Sequence, residues 1–135
     1  MKNVYVKNRN QWRKWLGENH DKEQKGIWLI FYKKKTNKPS LEYEDAVEEA
    51  VCFGWIDSII KKIDDEKYAR KFTPRKDKSL WSKLNKKRVN KMIKEGKMAE
   101  AGLEKIKKAK NEGKGHEQVN TIAYPYMEIV AQGGG

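Results

Sequence analysis

The most regular hydrophobic pattern in the chain lies at Tyr43, Ala46, Val47, Ala50, Val51 and Gly54, which fall at i, i+3, i+4, i+7, i+8 and i+11. That spacing gathers them on one helical face and predicts a helix over 43–53. Glu42, Glu44 and Asp45 stand at its start, where the helix dipole favours negative charge, and Gly54 supplies a stop. Residues 26–33 are apolar at successive positions, the pattern of a strand covered on both faces, and so are expected at the centre of a sheet. Residues 56–63 and 68–74 carry β-branched and aromatic residues on either side of Asp64-Asp65-Glu66-Lys67, a polar cluster of hairpin length, and Pro74 ends the second run by removing an N–H.

Three more helices follow from the same reasoning. One near 10–20 has Asn8 or Asn10 as cap, with Trp12, Trp15, Leu16 and Asn19 at helical spacing. Another runs over 80–95, with Ser79 as cap and Gly96 as stop, and the last over 98–111, with Met98, Gly102, Ile106 and Ala109 on one face. The tight turn between the last two strands does not suit a regular βαβ wind. The expectation is an α+β fold in which a small antiparallel sheet with a hairpin is packed by about four helices. Residues 1–113 are expected to form one domain, and 114–135 a tail whose terminal Gly133-Gly134-Gly135 is flexible.

Composition changes the picture in two ways. Apolar and charged residues each make up 37% of the chain, so the core must lean on bulky side chains, which five Trp and six Tyr supply. The net charge of +12 is also uneven: residues 1–57 hold 11 basic and 9 acidic groups, 58–110 hold 19 and 7, and 111–135 hold 1 and 3. A field concentrated on one stretch attracts polyanions and repels cations. No apolar run approaches the ~20 residues of a membrane span, and the N-terminus lacks the apolar core of a signal peptide, so a cytoplasmic location is expected. The single cysteine, Cys52, lies on an apolar helix face and reads as a small core residue.

Several motifs resemble a known family. Trp15-Leu16, Asn19-His20, Gly26-Ile27-Trp28-Leu29 and Leu41-x-Tyr43-x-x-Ala46-Val47-Glu48-Glu49-Ala50 look like the opening of the YdeI/OmpD-associated (bacteriocin-protection) family. Cys52-Phe53-Gly54-Trp55-Ile56-Asp57-Ser58 and Phe72-Thr73-Pro74-Arg75, followed by Ser79-x-Trp81-Ser82-x-x-Asn85 and Gly96-x-Met98-x-x-x-Gly102, extend the resemblance over about residues 10–113. It ends where Gly113-Lys114-Gly115-His116 replaces a Gly-basic-Trp step and a short tail stands in place of a further helical segment. What the resemblance implies is a binding role in tolerance to bacteriocins or antimicrobial peptides, with no catalytic mechanism attached.

The residues themselves offer two candidate sites. At 100° per residue, Trp81, Asn85, Arg88 and Met92 share one face of the third helix, with Leu84 and Val89 beside them. Polar groups turned inward need partners. Asp57, Arg75, Trp81, Ser82 and Asn85 are therefore expected to converge, either as a structural ion-pair cluster or as the lining of a pocket for a small-molecule or protein ligand. Lys83, Lys86, Lys87, Lys91 and Lys94 share the opposite face with Asn90, and with Lys61, Lys62, Lys67, Arg70, Lys71, Arg75, Lys76 and Lys78 they could neutralise phosphates while Tyr68 stacks on bases. Lysine far outnumbers arginine, and base readout leans on arginine, so nucleic acid would be bound with little sequence preference.

Catalysis finds no constellation. His20 and His116 have no Cys or His at metal-ligand spacing, Asp57 and Ser58 are neighbours on a strand and point apart, and no phosphate loop or nucleophile elbow is present. No enzyme activity, metal or cofactor is expected.

Overall fold

The computed structural model describes residues 1–77 and 81–111, the side chains of 110 and 111 excepted. The chain forms two compact units, Met1–Ala50 with Trp55–Pro74, and Val51–Gly54 with the chain from Arg75 onward. The fold is α+β.

In the first unit the elements are β1 (Asn3–Val4), α1 (Arg9–Asn19), β2 (Ile27–Tyr32), α2 (Tyr43–Cys52, whose last turn counts with the second unit), β3 (Trp55–Lys62) and β4 (Lys67–Pro74). The sheet order is β1-β2-β4-β3. The interior position expected for 26–33 holds, since β2 has neighbours on both sides. The purely antiparallel sheet does not hold. Asn3 and Val4 pair in parallel with Trp28 and Leu29, and Trp28 N–H donates to Lys2 C=O at 2.9 Å, so the sheet is mixed. Two residues are too few to show the alternation by which a strand is recognised.

The hairpin forms where its polar cluster lies. Asp64 Oδ1 accepts from the backbone N–H of Glu66 at 2.8 Å and of Lys67 at 3.0 Å, an Asx turn. The Glu66 N–H and the Lys67 ammonium hold the Asp64 carboxyl below its ordinary pKa. β3 and β4 pair from Trp55↔Pro74, with a register shift between Asp57 and Ile60.

Strand alternation gives the sheet two different faces. Ile27, Leu29 and Phe31 of β2 and Phe72 of β4 are buried on one of them. There α1 docks through rings: Trp12 stacks on Trp15 at 5.4 Å and meets Phe72 edge-on at 5.4 Å, while Trp15 meets Trp55 edge-on at 5.8 Å. Burying each such side chain is worth about 1.5–3 kcal/mol. The indole N–H groups are satisfied as well, Trp12 donating to Ala46 C=O at 3.0 Å and Trp55 to His20 C=O at 3.3 Å. Asn8, one of the two expected caps, accepts from Gln11 N–H at 3.0 Å and starts α1.

The second unit holds α3 (Lys83–Lys94) and α4 (Glu100–Asn111). Its cap is Ser82, whose hydroxyl accepts from Asn85 N–H at 3.0 Å; the expected cap, Ser79, lies outside the described residues, as do Lys78 and the tail from 112. Gly96 stops α3 with φ +68°, and Lys97 N–H closes back on Met92 C=O at 2.9 Å. α4 turns Gly102, Ile106 and Ala109 inward, as its spacing predicts, while Met98 precedes it. A Cβ on Gly102 would come within 2.4 Å of Cys52 C=O, which is why a glycine stands there.

Candidate functional site

Asp57 lies in the first unit, just before the irregularity in β3. Its carboxylate accepts from Tyr43 OH at 2.9 Å, and Arg70 Nη1 stands 4.0 Å away. The Arg70 guanidinium lies over the Tyr43 ring at 4.1 Å, and its buried Nε has no hydrogen-bond partner among the described residues. Asp57 is thus engaged by Tyr43 and Arg70, two residues the sequence assigned elsewhere: Tyr43 to a core-facing helical stripe, Arg70 to a phosphate-binding surface. Only strand pairing brings position 70 beside the start of α2. Phe31, Tyr32, Lys34, Lys38, Tyr43 and Tyr68 are among the residues that line a neighbouring cleft of about 540 Å³. Tyr68 is not the free stacking ring expected. It is half-buried and stacks on Phe31 at 5.5 Å, its cross-strand partner.

The other four residues of the expected cluster belong to the second unit and form two pairs. Arg75 is buried, at 3% exposure, with its guanidinium 3.7 Å above the Trp81 ring. Burial pushes its pKa down to about 10. Its backbone N–H donates to Gly54 C=O at 2.8 Å, so the glycine after α2 and the residue after Pro74 are tied directly. Ser82 is exposed and acts as the α3 cap, while the Asn85 side chain accepts from Arg88 Nη1 at 2.9 Å. Asn85 and Arg88 do face inward, as the helical period predicts, and they satisfy each other one turn apart.

The opposite face of α3 is basic along its length. Lys83, Lys87, Lys91 and Lys94 are exposed, and Lys86 and Asn90 half-buried, so all five expected lysines lie away from the buried stripe. Leu84 is the exception to the expected pattern, at 53% exposure, because one residue before Asn85 is about 100° around the helix from it. Within its 12 residues α3 has no acidic side chain. Among the described residues Lys83, Lys86, Lys87 and Lys94 have no acidic partner.

His20 caps α1, its Nδ1 2.7 Å from Leu16 C=O, and His116 lies outside the described residues. Among the described residues no group of three or more His, Cys, Asp or Glu could hold a metal ion, and no helix is long and apolar enough to cross a membrane. Cys52 is buried and, as the one cysteine of the chain, forms no internal disulfide.

Fold and surface together define a small, strongly basic α+β protein. The chain belongs to the family described as a domain of unknown function (DUF8412), whose model matches residues 4–105 and so takes in elements of both units. No curated protein and no solved structure matched the chain.

Proposed function

We propose that this is a non-catalytic, cytoplasmic binding protein whose partner is a polyanion, nucleic acid bound with little sequence preference being the form that suits its charge. The observation that carries this reading is the α3 face. From Lys83 to Lys94 the helix rises about 16 Å, at 1.5 Å per residue, with a cation presented at nearly every turn and no acidic residue within the helix itself. A phosphate chain laid along that face meets several ammonium groups in succession, and each phosphate neutralised releases a counterion.

Salt dependence tests it. Contact with about six phosphates predicts a log–log slope near −5 for duplex DNA, and charge reversal of Lys83, Lys87 and Lys94 should remove about half of it. Because all three are exposed, the variant should keep the wild-type circular dichroism spectrum. A wild-type protein that shifts neither DNA nor RNA at micromolar concentration and ~0.15 M salt would end this reading.

The resemblance to the YdeI/OmpD-associated family favours a second reading, a role in tolerance to bacteriocins or antimicrobial peptides. Sequestering cationic peptides does not fit it, because a net charge of +12 repels them. Tight calorimetric binding of a lysine-rich peptide would contradict that point.

A further inference from the structure

The first unit's helices dock on one sheet face, through Trp12 on Phe72 and Tyr43 on Arg70. The alternate residues make up the other face. Register pairs Trp28 with Lys71, Ile30 with Ala69 and Tyr32 with Lys67 across β2 and β4, and Lys61 with Ala69 across β3 and β4. Ile30 and Ala69 are buried as an apolar floor, whereas Trp28 and Tyr32 are half-buried at its two ends. Both rings carry a cation: Lys61 Nζ is 4.2 Å from the Trp28 ring centre, and Lys38 and Lys67 are 4.9 and 5.7 Å from that of Tyr32. Lys38 and Lys67 are shared with Glu66 and Asp64, but Lys61 and Lys71, which flank Trp28, have no acidic partner among the described residues.

We propose that this face, from Trp28 to Tyr32, is a stacking platform for single-stranded nucleic acid, a surface separate from α3. The two rings stand on one strand four residues apart, about 14 Å at 3.4 Å per residue. A stacked single strand advances about 3.4 Å per nucleotide, so about four nucleotides span the interval. An exposed ammonium over a ring is held more weakly than a base stacked on it. Bases therefore displace Lys61 from Trp28 and the lysines from Tyr32, and the released ammonium groups move to the phosphates beside them. Every base has a π-face, so the platform discriminates little among sequences. A duplex keeps its base faces inside its own stack and can offer only phosphates. Single-strand preference is the signature of this face, and duplex binding that of α3.

Fluorescence anisotropy with the full chain at ~0.15 M salt separates the two, using a labelled thymidine dodecamer and a duplex of equal length. The single strand should bind at least about tenfold more tightly. Trp28→Ala should weaken it by about 5- to 150-fold with duplex binding unchanged, which is the range of one lost base stack. Trp28→Phe, which keeps a ring, should retain most of the affinity. If Trp28→Ala fails to fold, Lys61→Gln with Lys71→Gln takes its place, and it should lower the single-strand salt slope by about 1.4. Equal affinity for both forms would overturn the platform. So would single-strand binding untouched by Trp28→Ala, or weakened equally by Trp28→Phe. Charge reversal of Lys83, Lys87 and Lys94 must leave the effect of Trp28→Ala intact, so α3 can fail without the platform failing, and the reverse.

Discussion

Arg9 opens α1 facing three carboxylates of α2. Its Nε donates to Glu49 at 2.8 Å, Nη1 to Asp45 at 2.8 Å, and Nη2 to Glu48 at 3.1 Å and also to Glu49, while Arg13 Nη1 donates to Glu49 at 2.9 Å. Glu48 and Glu49 are each only 2% exposed. Burial opposes the charge of Arg9, but the hydrogen bond and charge of Glu49, with Glu48 and Asp45 behind them, outweigh it and raise its pKa. Arg9→Met keeps the apolar stem and removes the cation. Two nearly buried carboxylates then remain with much of their compensation gone, and breaking such a network by removing one partner costs about 3–5 kcal/mol. With a urea m-value of about 1.5–2 kcal/mol/M, the midpoint should fall by about 2–3 M with the slope unchanged. Arg9→Lys, a point charge unable to fork to three acceptors, should lose an intermediate amount. Adding Glu49→Gln to Arg9→Met should recover part of the loss, since it withdraws one of the stranded charges. If Arg9→Met costs no more than the ~1 kcal/mol typical of an exposed pair, the network is not what joins the two helices.

Gly102→Ala gains about 1 kcal/mol of helix propensity, yet its Cβ would overlap the Cys52 carbonyl at 2.4 Å; with backbone on both sides of the clash, net destabilisation of about 1–2 kcal/mol is expected in urea unfolding. Arg75→Ala removes the cation stacked on Trp81 and opens a cavity, so a loss of about 2–4 kcal/mol and a red shift in tryptophan emission should accompany it. Asp77 is held below its ordinary pKa of 3.8, first by the hydrogen bond from Lys105 and then by the charges of Lys105 and Lys108. A depressed carboxyl stabilises the fold above its unfolded pKa and stops doing so as pH falls through the folded value. The midpoint difference between wild type and Asp77→Asn should therefore be full at pH 5 and shrink as pH falls below 3.8 and through the lower folded value.

Much of the secondary structure could be read from the chain because its causes are local. The faces of α2 and α3 follow from helical period, the hairpin from a polar cluster between β-branched runs, and the helix stops from glycines that take positive φ at Gly54 and Gly96. The inward turn of Asn85 and Arg88 and the outward turn of the α3 lysines come from that same period, which is why the basic face was legible. Partners across the sequence were not. β1 is two residues long and acquires its parallel place only from β2, leaving the sheet mixed. Asp57 meets Tyr43 and Arg70, and Arg9 meets Asp45, Glu48 and Glu49, across 13 to 40 residues of chain. Charge and hydrogen-bonding capacity are written in each residue, but several cations could have met each carboxylate. Strand register and helix docking chose among them, because only tertiary packing brings one pair within bonding distance and keeps the others apart.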